Sequence, residues 1–291
     1  MASLPLGLAL ASLACGAAGA AAPARPEAAR ISLVLVDAAS EKALGWPLPL
    51  PVLAAAVERI ASGQPHAVVL KFFIDPEAEG AGELAKTMAK HGNVLLQCAG
   101  ADSGAAPEPA LRPFRLPGSP GADFDDHPAV TLPAPSLVAA AAGVGFVHVK
   151  LDPATGAAER WQVVSMAGGR HYASLPLLVL ARERGIVPGS LRLSKARGGW
   201  ALAAPGLRLA LDHEGAVPIR FSESRARYGA FPFVLVHGGR IPPSAFKDRV
   251  VVVGPDLPAR ADNGLKTPRG EAYSKVLLFA DALATLSAAP K

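Results

Sequence analysis

Cysteine is almost missing from this sequence: Cys15 and Cys98 are the only two in 291 residues. With so few, a disulfide framework and any CxxC redox or zinc chemistry are excluded. Cys98 ends the run Asn93-Val94-Leu95-Leu96-Gln97-Cys98, where a thiol reads as a small buried apolar group. Charged residues are scarce at 18% and aromatics at 5%, whereas 51% of residues are hydrophobic, so the chain is not intrinsically disordered. Long apolar runs are lacking as well. Past residue 25 no stretch of about 18 uncharged apolar residues occurs, which argues against a multispan membrane protein. There is no internal repeat, Walker loop, G-x-S-x-G elbow or H-E-x-x-H pair, and no two of the seven histidines are four apart.

Glycine and proline, by contrast, are abundant at 29 and 28. They follow no period, which excludes collagen and points to many turns. The net charge is +5, and from Arg170 to Lys275 there are 17 Lys/Arg against 8 Asp/Glu. These cations stand singly among Gly, Pro and Leu, with no basic block and no aromatic RNA-binding run, so nucleic acid is not an expected partner. Residues 1–25 have the build of a leader: the stretch LPLGLALASLACGAAGAAA precedes the first charge at Arg25 and offers Ala18-Gly19-Ala20 for cleavage. Its Leu-rich part is about ten residues, a signal-peptide length rather than a bilayer span. Export to the periplasm or medium is expected, with cleavage or with membrane anchoring through an uncleaved N-terminal segment.

The remaining chain, 26–291, reads as one mixed α/β domain. Ile31–Val36, Ala67–Ile74 and Asn93–Cys98 have the β-branched apolar character of buried strands, and helical spacing separates them over 52–62 and 82–91. Strand, helix, strand, helix, strand with short joints predicts a partly parallel sheet flanked by helices. Residues 101–134 show no period and read as a long Pro/Gly-rich loop, with Asp125-Asp126-His127 as a solvated turn in it. Gly145–Leu151 and Trp161–Met166 predict an antiparallel hairpin around Asp152-Pro153-Ala154-Thr155-Gly156. A short helix over 135–142, a helix within 172–185, strands at 231–236 and 250–253 and a helix over 274–287 complete the reading.

Candidate site residues follow from the carboxyl edge of such a sheet, where ligands bind. Asp37 and Asp75 each follow a predicted parallel strand, and Asp152 and Asp256 also end strand-like runs. Converging carboxylates can hold a cation, a polyol or an amine; equally, an Asp after a strand caps a helix or shapes a turn. His148, within a strand, reads as a hydrogen-bonded neighbour. No cofactor and no metal is called for.

The order of motifs resembles the CHASE2 domain, the extracellular sensory module of bacterial receptor cyclases and kinases. Carrying the resemblance are Gly45-Trp46-Pro47-Leu48-Pro49 before an apolar helix, the strand 68–75, Gly145-Phe146, the Asp152, Gly156, Arg160 turn, Ser174-Leu175, Val250–Gly254, Asp262 and Thr267-Pro268. Departures are Leu50 in place of a basic residue, Gly82-Glu83 in place of a helix-opening Asp, and Leu277 and Phe279 where the family has Glu and His, with loss of polar contacts expected there. The resemblance implies a non-enzymatic sensory domain and brings no catalytic residues; with the strand-end carboxylates Asp37 and Asp75, the motif residues Asp152, Arg160 and Asp262 make up the candidate ligand contacts. Its partner would be a small-molecule ligand or an envelope signalling protein. Because the sequence stops at Lys291 without a span, a module lacking its own output domain is expected, with a truncated receptor fragment as the rival. A third reading is a small α/β enzyme with a site around Asp37, Asp75 and His148.

Overall fold

The structure is a computed structural model in which residues 30–117, 124–222, 225–257, 264–270 and 272–289 are described. The leader and Asp262 lie outside the described residues. Ile31–Val36 forms β1 with all six residues buried. A helix that the apolar pattern does not announce follows at once, α1 (Ala38–Leu44). After the Trp46–Pro49 turn comes α2 (Leu50–Ala61), which buries Leu53, Ala56, Val57 and Ile60, the face its spacing predicts. Then come β2 (Ala67–Leu70), α3 (Ala81–His91) and β3 (Val94–Ala101). The strand expected over 67–74 is therefore four residues long. An apolar run shows what is buried and not where pairing ends.

The described part of the long stretch 101–134 carries short strands within it. It contains β4 (Asp126–His127) and β5 (Ala129–Thr131), and β5 pairs antiparallel with the end of β3. The solvated turn expected at Asp125-Asp126-His127 is thus corrected: backbone pairing, invisible in composition, recruits it. Next are α4 (Pro135–Ala140) and β6 (Gly143–Phe146), then β7 (Val149–Leu151), β8 (Ala158–Gln162), β9 (Val164–Ala167) and β10 (Arg170–Ala173). The hairpin around Asp152 is present between β7 and β8. Its expected first arm, however, is two strands in two sheets, because β6 pairs with β3 before the chain turns at His148. Likewise Trp161–Met166 divides between β8 and β9.

Helix α5 (Leu175–Glu183) leads to a meander of β11 (Arg192–Ala196), β12 (Gly199–Ala204) and β13 (Leu207–Leu211), followed by β14 (Ala216–Pro218). The expected strand at 231–236 is instead the end of β15 (Gly229–Pro232) and a short α6 (Phe233–His237). Ser40 Oγ accepts from Val234 N at 3.1 Å and fixes that helical start. The chain continues through β16 (Val250–Pro255), β17 (Gly264–Lys266) and β18 (Ala272–Ser274) to α7 (Lys275–Ser287).

The central sheet runs β15-β1-β16-β2-β3, with β6 also on β3, and these six strands are all parallel. Side chains alternate between two cores. Val34 and Val36 face α2, α3, α4 and α6, while Ile31, Leu33 and Leu35 face α5 and α7. Each fully buried Val, Leu or Ile contributes about 1.5–3 kcal/mol, and these two layers are the main source of stability. Close approach is secured by glycine where a helix touches a strand. A Cβ on Gly145 would lie 2.6 Å from Leu175 Cα, so α5 seats on β6 only because that position is bare. Helix α7 is pinned by Asp281, which is fully buried and accepts from Tyr228 OH at 2.5 Å, Tyr273 OH at 2.6 Å and Ser222 N at 3.1 Å.

Candidate functional site at the carboxyl edge of the sheet

β1, β16, β2 and β3 all end on one edge, and over that edge lies a cavity of about 1030 Å³. Its deep part is built from the sheet itself. Lys71 follows β2 directly, Gln97 lies on β3, and Lys275 and Val276 open α7. The walls are apolar and aromatic, with Trp46, Leu50 and Phe72. Gly254 on β16 brings the pieces together: a Cβ there would lie 2.7 Å from Val276 Cγ2 and 3.0 Å from Lys71 Cβ. Only glycine lets the start of α7 descend onto the strand end beside Lys71. Ser274 caps that start, its Oγ accepting from Val276 N at 3.3 Å.

Lys71 is the unusual group. It is only 8% exposed, and its Nζ donates to Gln97 Oε1 at 2.6 Å, with Gln97 itself 2% exposed. Among the described residues no carboxylate pairs with Lys71 or with Lys275. Burial therefore pulls the Lys71 amine down to about 7, and the charge of Lys275 pushes the same way. A buried ammonium with one neutral partner costs folding energy and is seldom tolerated for packing alone. Farther out, the exposed carboxylates of Asp75, Glu77, Glu79 and Glu83 line the cavity. Phe73, 58% exposed, lines it as well, a large apolar side chain that the core does not use.

Of the described candidate ligand contacts, Asp75 alone lines this cavity, together with Trp46 to Leu50 of the turn that carried the family resemblance. Because β2 stops at Leu70, Asp75 stands in the following loop and accepts from Glu77 N at 2.9 Å. Asp37 is the N-cap of α1, accepting from Ser40 N at 2.8 Å and Ser40 Oγ at 2.7 Å. Asp152 organises the β7–β8 turn by accepting from Thr155 Oγ1 and Thr155 N, both at 2.7 Å, which holds its carboxyl below the usual range. Arg160 on β8 bonds Asp212 at 2.7 Å and Glu214 at 2.6 Å, away from the cavity. Asp262 lies outside the described residues. Asp256 is 8% exposed, and its backbone N donates to Val36 O at 2.9 Å. The four described candidates, Asp37, Asp75, Asp152 and Arg160, stand at separate places, and only Asp75 lines the cavity.

His148 is hydrogen-bonded, as its setting implied, though at the joint between β6 and β7. Nε2 accepts from Gly100 N at 2.8 Å, which leaves the proton of the neutral ring on Nδ1, facing Ser165 Oγ at 3.3 Å. Burial first, and then the nearby His127 and Lys150, push its pKa down to about 4. It does not line the cavity, so the Asp37, Asp75, His148 grouping required by the enzyme reading is not formed. Cys98 is buried, and burial raises its thiol well above the ordinary range. Among the described residues no three His, Cys, Asp or Glu side chains converge as a metal-binding group. Leu277 and Phe279 are core residues, Phe279 meeting Trp161 edge-on at 5.9 Å. Lys71, Gln97 and Lys275 were not anticipated. The available clue was a single lysine inside AVVLKFFI, since lysine is almost never fully buried without a partner.

A parallel sheet with helices on both faces and a ligand-sized, mostly apolar cavity over its carboxyl edge defines an α/β domain built around a binding crevice. Within that class the chain belongs to the CHASE2 domain family, which matches residues 9–291. The family comprises extracellular sensory domains, so signal transduction is the functional context of this fold. No curated protein and no solved structure matches the chain. Among the described residues no helix is long and apolar enough to cross a membrane.

Proposed function

We propose that the protein is a non-enzymatic, periplasmic or secreted sensory module whose input is a small molecule held in the carboxyl-edge cavity. The observation that carries this reading is the buried Lys71 amine, which opens onto a large apolar cavity with no carboxylate partner among the described residues. The cavity's parts come from different layers: the turn before α2 and the start of that helix, the loop after β2, the strands β3 and β16 and the first turn of α7. A ligand touching both Lys71 and Lys275 favours the conformation in which α7 is drawn onto the sheet edge, and so shifts a population rather than making or breaking a bond. Because α7 also packs on α5 across the opposite core, a displacement at its start has a path to the far side of the domain, where a partner protein reads it. A thermal-shift screen of metabolites tests the proposal. A ligand at 100 times its Kd adds about 2.7 kcal/mol, which for a domain this size raises Tm by roughly 5–10 °C. Purified protein that turns over a substrate would contradict it.

A further inference from the structure

Resting on that reading of the cavity as the input site, we infer that its ligand is an organic monocarboxylate carried on a planar apolar body, with the carboxylate on Lys71 and Lys275 and the body against Trp46 and Phe72. Charge sets the class. The deep end holds two amines and the amide of Gln97, whose oxygen is turned to Lys71, and no acid among the described residues. Such a set attracts an anion and repels a cation.

The number of charges is limited from two sides. Asp75, Glu77, Glu79 and Glu83 line the same cavity and oppose a second negative charge. One backbone donor of the first turn of α7 is also already taken, Val276 N by Ser274 Oγ at 3.3 Å. The body is set by the walls: Trp46 and Phe72 stand with ring centroids 6.3 Å apart and tilted by 41°, and prolines and leucines surround them. A planar apolar group fits such surfaces by stacking and area burial.

Binding must also move a proton. Above about pH 7 the free protein has largely given up the Lys71 proton. The charged groups that line the cavity are Lys275 and the four carboxylates, and of these Lys275 is the one that lowers Lys71. A carboxylate set against the amine restores the proton, so affinity falls by about 50-fold from pH 7 to pH 9.

The experiment is calorimetric titration of the purified chain with phenylacetate and indole-3-acetate, with their amides, with phenethylamine and with phenyl phosphate. The expected result is binding of the acids with proton uptake above pH 7, and a loss of about 30-fold or more in Lys71→Met and Lys275→Met. Circular dichroism shows whether each variant is folded, and the proton uptake is read on the unaltered protein. Amides or phenethylamine binding as tightly as the acids overturn the inference and leave the input site standing. Phenyl phosphate binding more tightly than phenylacetate overturns the choice of a monocarboxylate. Acids that bind equally well to both variants also overturn it. A folded chain that binds none of these probes, and nothing in the thermal-shift screen, overturns the inference together with the sensory reading.

Discussion

Replacing Lys71 with methionine should stabilise the protein, and by an amount that depends on pH. The Lys71 amine falls from its usual 10.5 to about 7 on folding. Between these values the unfolded chain binds more protons than the folded one, so the stability of the unaltered protein rises as pH increases from 7 to 10.5. Burial of the amine thus costs on the order of 4 kcal/mol at pH 7 and about 2 kcal/mol at pH 9. Methionine removes that cost and keeps the apolar stem, but it strands the amide of Gln97, which is 2% exposed. An unsatisfied buried amide costs about 1–3 kcal/mol. The net gain is then about 2 kcal/mol at pH 7, a rise in Tm of roughly 4–8 °C, and close to nothing at pH 9. Thermal melts of both proteins at the two pH values decide the matter. A variant that melts below the unaltered protein at pH 7, or that gains equally at both values, refutes the argument that Lys71 is an amine kept at a cost to stability.

Three further outcomes follow from the same geometry. Gly254→Ala forces a methyl group to within 2.7 Å of Val276, so α7 must lift; urea melts should show a loss of about 1–3 kcal/mol together with weakened ligand binding. Asp37→Ala removes the cap of α1 and should cost about 1 kcal/mol in the same assay, leaving ligand affinity unchanged, since Asp37 does not line the cavity. His148 must stay neutral to accept from Gly100, and its pKa is lowered from 6.5 to about 4. The unfolded chain binds the extra proton across that window, so stability should fall as pH drops from 6.5 to 4. A His148→Phe variant should flatten that part of the pH–Tm curve.

The sequence reading and the fold part company at identifiable places. α2 and α3 were legible because one buried face repeats at a helical period, as with Leu53, Ala56, Val57 and Ile60, and β1 and α7 because each is a nearly continuous apolar run. The β7–β8 hairpin was legible from its turn residues, which use Asp152 as the structure does. What failed was pairing. Nothing local shows that β16 enters the sheet between β1 and β2, or that Gly143–Phe146 and Val149–Leu151 belong to different sheets. The same limit explains the site. Asp37 and Asp75 look equivalent after two strands, but an unforeseen helix takes up Asp37, while Asp75 is left lining the cavity. Lys71 was hidden because its partners are distant along the chain: Gln97 is 26 residues on, and Lys275 arrives from the last helix.

The account stands on the cavity being the place where input is received and passed to α7. Hydrogen exchange of the backbone amides, with and without a ligand found by the thermal-shift screen, measures this most directly. The expected result is slowed exchange at residues 46–53, 71–80 and the first turn of α7, extending along α7 toward α5. Ligand-dependent protection confined to the β11–β13 meander, with these segments unchanged, would contradict it.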